Sequence, residues 1–344
     1  MANMDPNKDA WALRDAAIAV WREWLVVVHK PRRLAIVKER DEQLRTSRAN
    51  ANIAAGSDSS LAVRKNGSIT CLGSNEYGKA PPDGIQGDFI MVAAGAYHTL
   101  ALQRDGNIAC WGLNEDGQAP PDGIQGDFIM VAAGAYHTLA LQHDGSIACW
   151  GYNGHGQAPP DGIHGDFVAI AAGYLHSLAL QRDGNIACWG RNEDGKAPPD
   201  GIQGDFIMVA AGAYHTLALQ RDGNIACWGL NEHGEAPPDG IQGDFVAIAA
   251  GAAHSLALRR NGSIACWGRN TNGQAPPDGI QGDFVAIAAG FYHSLALQRD
   301  GSIACLGNNE YGQAPTPEHD EEYEVDDYAT LSANFPFMTD VHIL

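Results

Sequence analysis

Seven cysteines and six histidines are the residues of this 344-residue chain best equipped for chemistry. The thiols stand at Cys71, Cys110, Cys149, Cys188, Cys227, Cys266 and Cys305, and the imidazoles at His98, His137, His176, His215, His254 and His293, every step being 39 residues. Such side chains ligate zinc when their donor atoms converge within about 2.0–2.3 Å of one ion, and a thiol beside an imidazole can act as a nucleophile. A strict repeat argues against both roles. Equivalent positions in copies of one structural unit are held a unit apart, and stacked sheets lie about 10 Å from one another. That exceeds the roughly 4.4–6.8 Å between α-carbons that a disulfide tolerates. Free buried thiols and structural, hydrogen-bonding histidines are therefore expected. His155 and His164 share a loop with Asp161 and Asp166, and this group is not expected to hold a metal ion. No Ser-His-Asp arrangement, phosphate-cradling glycine loop or unique nucleophile stands out, so neither an enzyme activity nor a cofactor or metal is expected.

One copy of the unit, residues 128–165, reads FIMVAAGAYHTLALQHDGSIACWGYNGHGQAPPDGIHG. Its three short apolar runs, at 128–133, 137–141 and 147–150, are bounded by Gly, Asp, Asn or Pro and read as strands. Asp-Gly or Asn-Gly separates the second run from the third in every copy, from Asn66-Gly67 to Asp300-Gly301, and predicts a tight hairpin with positive φ angles. Along the second run His98, Leu100 and Leu102 share one face and Thr99, Ala101 and Gln103 the other, so both faces of the small sheet are largely apolar. Such a sheet has to be sandwiched between neighbours, which radial stacking achieves while leaving only short edges. Seven copies across residues 53–315 thus predict an all-β, seven-bladed β-propeller. A linear β-solenoid is the alternative, and it would need distinct capping repeats. The first copy lacks the entry GDF and the last lacks PPDGIQG, which ring closure by the chain ends would equally produce. Asp88 and its equivalents in GDF are expected to steady a turn by side-chain to backbone hydrogen bonds.

The net charge of −19 is unevenly spread: residues 1–52 hold ten Lys/Arg against seven Asp/Glu, 53–315 hold 12 against 26, and 316–344 hold none against eight. An acidic ring repels phosphate backbones, so nucleic acid is not expected to bind through the propeller. Free thiols without a secretory signal pattern point to an intracellular, reducing compartment, cytoplasm or nucleus. Import into an organelle stays open, although Asp5, Asp9, Asp15 and Glu23 are residues that transit peptides avoid. No apolar run reaches the roughly 18 residues of a membrane span.

Residues 1–52 read as an N-terminal helical extension, with a helix over 9–29 begun by Asp9 and stopped before Pro31. Trp11, Ile18, Trp21, Trp24, Leu25 and Val28 recur near helical spacing and form an apolar, aromatic face. That face is expected to pack on the propeller or to dock into a partner protein. Contact with a membrane surface is a lesser alternative, given Arg14, Arg22, Lys30, Arg32 and Arg33. Residues 316–344 read as an acidic, largely irregular tail.

Three antiparallel strands alternate in direction, so the first-to-second loops and the long third-to-first loops share one face of the disc. The copies differ chiefly there. Tyr77, Tyr97, Tyr136, Tyr152, Tyr174, Arg191, Tyr214, Arg269, Phe291, Tyr292 and Tyr311 all fall at these variable loop positions. Tyrosine and arginine anchor interfaces, and loops of about 13 residues without structure of their own are uncommon unless used. This face is the candidate partner-binding surface, with drift among duplicated loops as the alternative.

The string H-[ST]-L-A-L-x-x-[DN]-G-x-I-A-C-W-G-x-N-x-x-G-Q, as in residues 137–157, resembles the repeat of the regulator of chromosome condensation family, over residues 53–315. The resemblance implies a seven-bladed propeller that binds other proteins. The short unit ending GQAPPDG is more similar to propeller-type β-lactamase inhibitor proteins than to the family's exchange factor for the GTPase Ran. What it implies best is a non-enzymatic interaction module or scaffold, alone or as a subunit of a larger assembly. The alternatives are a proteinaceous enzyme inhibitor using the loop face and, less favoured, a guanine-nucleotide exchange factor, since no insertion between copies supplies a wedge.

Overall fold

A computed structural model of the protein describes residues 53–315, and these form seven three-stranded antiparallel sheets. In the second blade the strands are Phe89–Ala94, His98–Gln103 and Ile108–Gly112, and the other blades repeat this order. The first strand of each blade lies innermost, and in blades two to seven it carries a bulge near its start, between Phe89 and Met91 in this blade. Its last residue and the following glycine line a narrow axial channel, from Ala55 and Gly56 in blade one to Ala289 and Gly290 in blade seven.

The core lies between blades, as sheets apolar on both faces require. Leu100, Leu102, Ile108 and Cys110 of blade two pack against Phe128, Val131 and Ala140 of blade three, all of them buried. Burying one such aliphatic side chain is worth about 1.5–3 kcal/mol, and the joints from blade two round to blade seven repeat the set with Val and Ile exchanged. Across the last joint, Leu295 and Leu297 meet Ile53 and Ala62 of blade one. Ser60 Oγ there donates to the Gln313 carbonyl at 2.6 Å, and the Phe291 N–H donates to the Gly56 carbonyl at 3.1 Å. The seventh blade therefore closes on the first, and the solenoid alternative falls.

Three local features differ from the expectation. The Asp-Gly hairpin is a three-residue loop in which Gly106 alone takes a positive φ, +86°, while Asp105 caps the turn by accepting from the Asn107 N–H at 3.1 Å. The Gly106 N–H donates to the Gln103 carbonyl at 3.1 Å, a type I turn followed by a left-handed glycine. Asp88 forms an ion pair with Arg104, 3.0 Å, where a side-chain to backbone bond was expected, and Asp166, Asp205, Asp244 and Asp283 do likewise with the arginines 16 residues on. The long third-to-first loops also carry a bridge, Ile108 pairing with Ile124, which adds a one-residue outer edge to each of the first six blades.

Candidate functional site

The two loops of each blade are tied into one rigid platform. In blade two the Leu113 N–H donates to the Tyr97 carbonyl at 2.9 Å, so the variable residues of both loops stand side by side. Gly112, at φ +107°, permits this approach, because a β-carbon there would lie 2.5 Å from the Tyr97 oxygen. Asn114 Oδ1 accepts from the Ala119 N–H at 2.9 Å, and buried Gln118 Oε1 accepts from the Asp116 N–H at 3.0 Å. The Asn found in all seven copies, joined by Gln118, Gln157, Gln274 and Gln313 in four of them, thus holds the loop while the residues between are free to vary and to point outward.

On these platforms the tyrosines meet. Ring centroids lie 6.2 Å apart for Tyr77 and Tyr97, 4.9 Å for Tyr97 and Tyr136, and 5.9 Å for Tyr136 and Tyr174. Tyr174 then reaches Phe291 at 6.0 Å, and Phe291 reaches Tyr292 at 6.2 Å. Tyr152 branches from Tyr136 at 6.5 Å and Tyr214 from Tyr174 at 6.1 Å. Tyr174 and Phe291 occupy positions where blades two and three carry Ala96 and Ala135, and only residues this long can meet over the axis. Both line the channel mouth. The result is a continuous aromatic track across the disc.

Charge around the track is mainly negative. Glu76, Glu115, Asp116, Glu193, Asp194 and Glu310 are exposed in the flanking loops. The Tyr77 phenol is held above its ordinary pKa, chiefly by the Glu76 carboxylate. Tyr136 is raised too, first by its hydrogen bond with Tyr97 and then by burial. Arg191 is paired with Glu193, whereas the Arg269 guanidinium sits over the Tyr292 ring, 5.6 Å from its centroid.

The histidines form a belt beneath this face. Thr138 Oγ1 donates to the Gln118 carbonyl at 2.8 Å and so accepts from His98 Nε2–H at 2.9 Å, across the joint between blades two and three. His137 with Ser177, His176 with Thr216, His215 with Ser255, His254 with Ser294 and His293 with Ser60 repeat it around the ring. Burial pushes His98 down to about 4 and His137 to about 3, so the imidazoles are neutral hydrogen-bonding groups. Desolvation pushes the Cys110, Cys149 and Cys188 thiols up to about 12, which removes the thiolate that nucleophilic or ligating chemistry needs. Among the described residues no group of three His, Cys, Asp or Glu is placed to hold a metal ion.

Of the sequence-predicted site residues, Tyr77, Tyr97, Tyr136, Tyr152, Tyr174, Tyr214, Phe291 and Tyr292 join the track, with Arg269 stacked at its end. Arg191 lies beside Tyr214, and exposed Tyr311 stands outside the connected rings. Trp11, Trp21, Trp24, Leu25 and Val28 lie outside the described residues. Two residues escaped sequence reasoning. Lys79 and Lys196 replace the buried Gln of other copies and are themselves buried. Lys79 Nζ donates to the Ala96 carbonyl at 3.0 Å and to Ser57 Oγ at 3.2 Å, and desolvation lowers its pKa. Lys196 Nζ pairs with Asp194 at 3.1 Å. A Lys breaking the GQ motif was the available signal.

Six stretches, residues 90–118, 129–157, 167–196, 207–235, 245–274 and 284–313, match the model of the regulator of chromosome condensation (RCC1) repeat. The first copy, with Ser59 and Leu72 in place of His and Trp, lies outside the match. Among solved structures the chain is similar to the CRINKLY WD40 ectodomain of the Arabidopsis thaliana receptor kinase ACR4, at 22% identity and TM-score 0.61, covering 78% of this chain and 98% of that one. It is also similar to Prp20p from Saccharomyces cerevisiae, at 22% identity and TM-score 0.56, covering 70% and 78% of the respective chains. For human WBSCR16 the figures are 18%, 0.60, 71% and 85%. At these identities the likeness is one of fold. No curated protein matches the chain by sequence.

Proposed function

The chain belongs to the regulator of chromosome condensation (RCC1) repeat family, and from that footing we propose that it is a non-enzymatic protein-interaction module whose tyrosine-rich loop face engages a protein partner. One observation carries the reading: residues at positions where the copies differ come together as a connected aromatic surface on rigid loops. Drift among duplicated loops would not be expected to place Tyr174 and Phe291, from blades four and seven, in contact across the axis. Aromatic side chains that stay partly exposed on a rigid support are what interface anchors require. Tyr152 and Tyr214 remain 37% and 39% exposed.

Inhibition of an enzyme would use the same face, and a nucleotide-release assay on a panel of small GTPases separates out exchange activity. The Prp20p structure is described with that protein's binding to Gsp1p and histones. Exchange is the less favoured reading for this chain, because its copies keep one length from residue 53 to 315 and supply no wedge. Free thiols held in a buried core suit a reducing compartment. Among the described residues no helix is long and apolar enough to cross a membrane. The N-terminal extension and acidic tail are proposed as accessory segments flanking the propeller.

Hydroxyl-radical footprinting of a complex captured with the full chain tests the proposal. Tyr77, Tyr152 and Tyr214 are expected to lose labelling on complex formation. Protection confined to the Asp-Gly hairpins, with the tyrosines still labelled, overturns it.

A further inference from the structure

We infer that the loop face binds an extended basic segment of a partner protein, with arginine side chains at alternate positions laid on successive rings of the tyrosine track. This rests on the loop face being the interface, and names the chemistry of its partner.

Three observations lead there. The rings are evenly stepped, 4.9–6.2 Å from centroid to centroid along the path from Tyr77 to Tyr292. An extended chain rises about 3.3 Å per residue, so side chains on one face recur about every 6.6 Å and can address one ring each. The faces of the rings carry negative quadrupole and the flanking loops present Glu76, Glu115, Asp116 and Glu310, so a cation is favoured twice, by ring and by carboxylate. An apolar peptide would instead have to be packed beside those carboxylates, and an acidic one would be repelled. Finally, the molecule already makes the proposed contact within itself: Arg269 lies over Tyr292 at 5.6 Å, at the end of the track, in the arrangement each incoming arginine would repeat.

Fluorescence polarisation with the full chain tests this, using three labelled ten-residue probes: alternating Arg and Ser, alternating Leu and Ser, and alternating Glu and Ser. The Arg-Ser probe is expected to bind at least about tenfold tighter than either of the others. The double variant Tyr152→Ser with Tyr214→Ser should weaken it about tenfold, and Tyr152→Phe with Tyr214→Phe should keep it within about twofold, since phenylalanine retains the ring face. Both positions are exposed, so the fold tolerates the changes. Asp105→Asn with Asp183→Asn removes two charges from the hairpin face and should change affinity less than about twofold. Equal weakening by the hairpin variant reduces the binding to attraction by net charge and overturns the inference. Tighter binding of the Leu-Ser probe, lost in the Tyr→Ser variant, overturns the arginine chemistry while leaving the loop face as the interface. Absence of binding by all three probes, with footprinting still showing the tyrosines protected in a captured complex, also overturns the inference and leaves the interface reading standing.

Discussion

Each histidine of the belt is a buried neutral donor, and that makes stability depend on pH in a calculable direction. His98, His215 and His293 are depressed to about 4 and His137 and His254 to about 3, all by desolvation, while in the unfolded chain they return to about 6.5. Between those values the unfolded chain holds more protons than the folded one, so stability falls as pH falls. The contribution is complete above about pH 6.5 and is lost progressively down to the folded-state values. Urea midpoints measured from pH 7.5 to 4 are expected to drop steeply below pH 6.5, and a flat profile would contradict the belt. The thiols make a second, independent prediction. Cys305 alone among the seven is half-buried, so alkylation of the native protein followed by peptide mapping should modify Cys305 first and leave Cys71 to Cys266 until unfolding. The chemistry of both residue types was legible from their spacing. The hydroxyl partners one blade away were not, because that pairing crosses some 40 residues of chain.

At the scale of elements, strands and hairpins follow from local sequence. The Asp-Gly turn needs a left-handed residue at Gly106, and a β-carbon there meets the backbone of Gly126 and Asp127 at 3.1–3.3 Å. Gly106→Ala should therefore cost about 1–2 kcal/mol, read from the denaturation midpoint. The ion pairs that flank these hairpins lie at exposed side chains, such as Arg104 at 45% and Asp88 at 65%, and contribute at most about 1 kcal/mol each. The outer edges of the blades were read only in part. The PPDGIQG loops look irregular in sequence, since a single isoleucine gives no periodicity, yet Ile124 closes a backbone bridge with 2.8 and 2.9 Å hydrogen bonds. Among the described residues the seventh blade has no such bridge, and every residue of its strand Ile303–Gly307 is only half-buried. Amide exchange should accordingly be faster in this strand than in Ile108–Gly112 or Ile147–Gly151.

At the scale of the molecule, the ring is held by seven joints that are not all alike. The joint between blades seven and one keeps the belt, with His293 Nε2 2.9 Å from Ser60 Oγ. At the joint between blades one and two, Ser59 replaces the histidine, and Ser59 Oγ and Thr99 Oγ1 are both buried without a hydrogen-bond partner. Leaving such groups unpaired costs about 1–3 kcal/mol each. Ser59→His should restore the bond to Thr99 and raise the thermal midpoint, with a gain of about 1 kcal/mol. A lower midpoint would show that the gap is filled by Lys79 and Ser57 instead.

The repeat interval, the alternation of apolar residues and the Asp-Gly turns determined, by themselves, that the chain builds seven copies of one small sheet. These are short-range properties, set by neighbours within a few residues, and the apolar character of both sheet faces demanded stacking. Ring or row was a different matter, because nothing local in Ile53 or Leu295 says that they will touch. Closure was decided by the accumulated angle between blades, visible only when the seventh meets the first. The same holds for the face. Sequence placed the tyrosines on one side of the disc, but only curvature about the axis brings Tyr174 to Phe291 and turns separate loop residues into a single track.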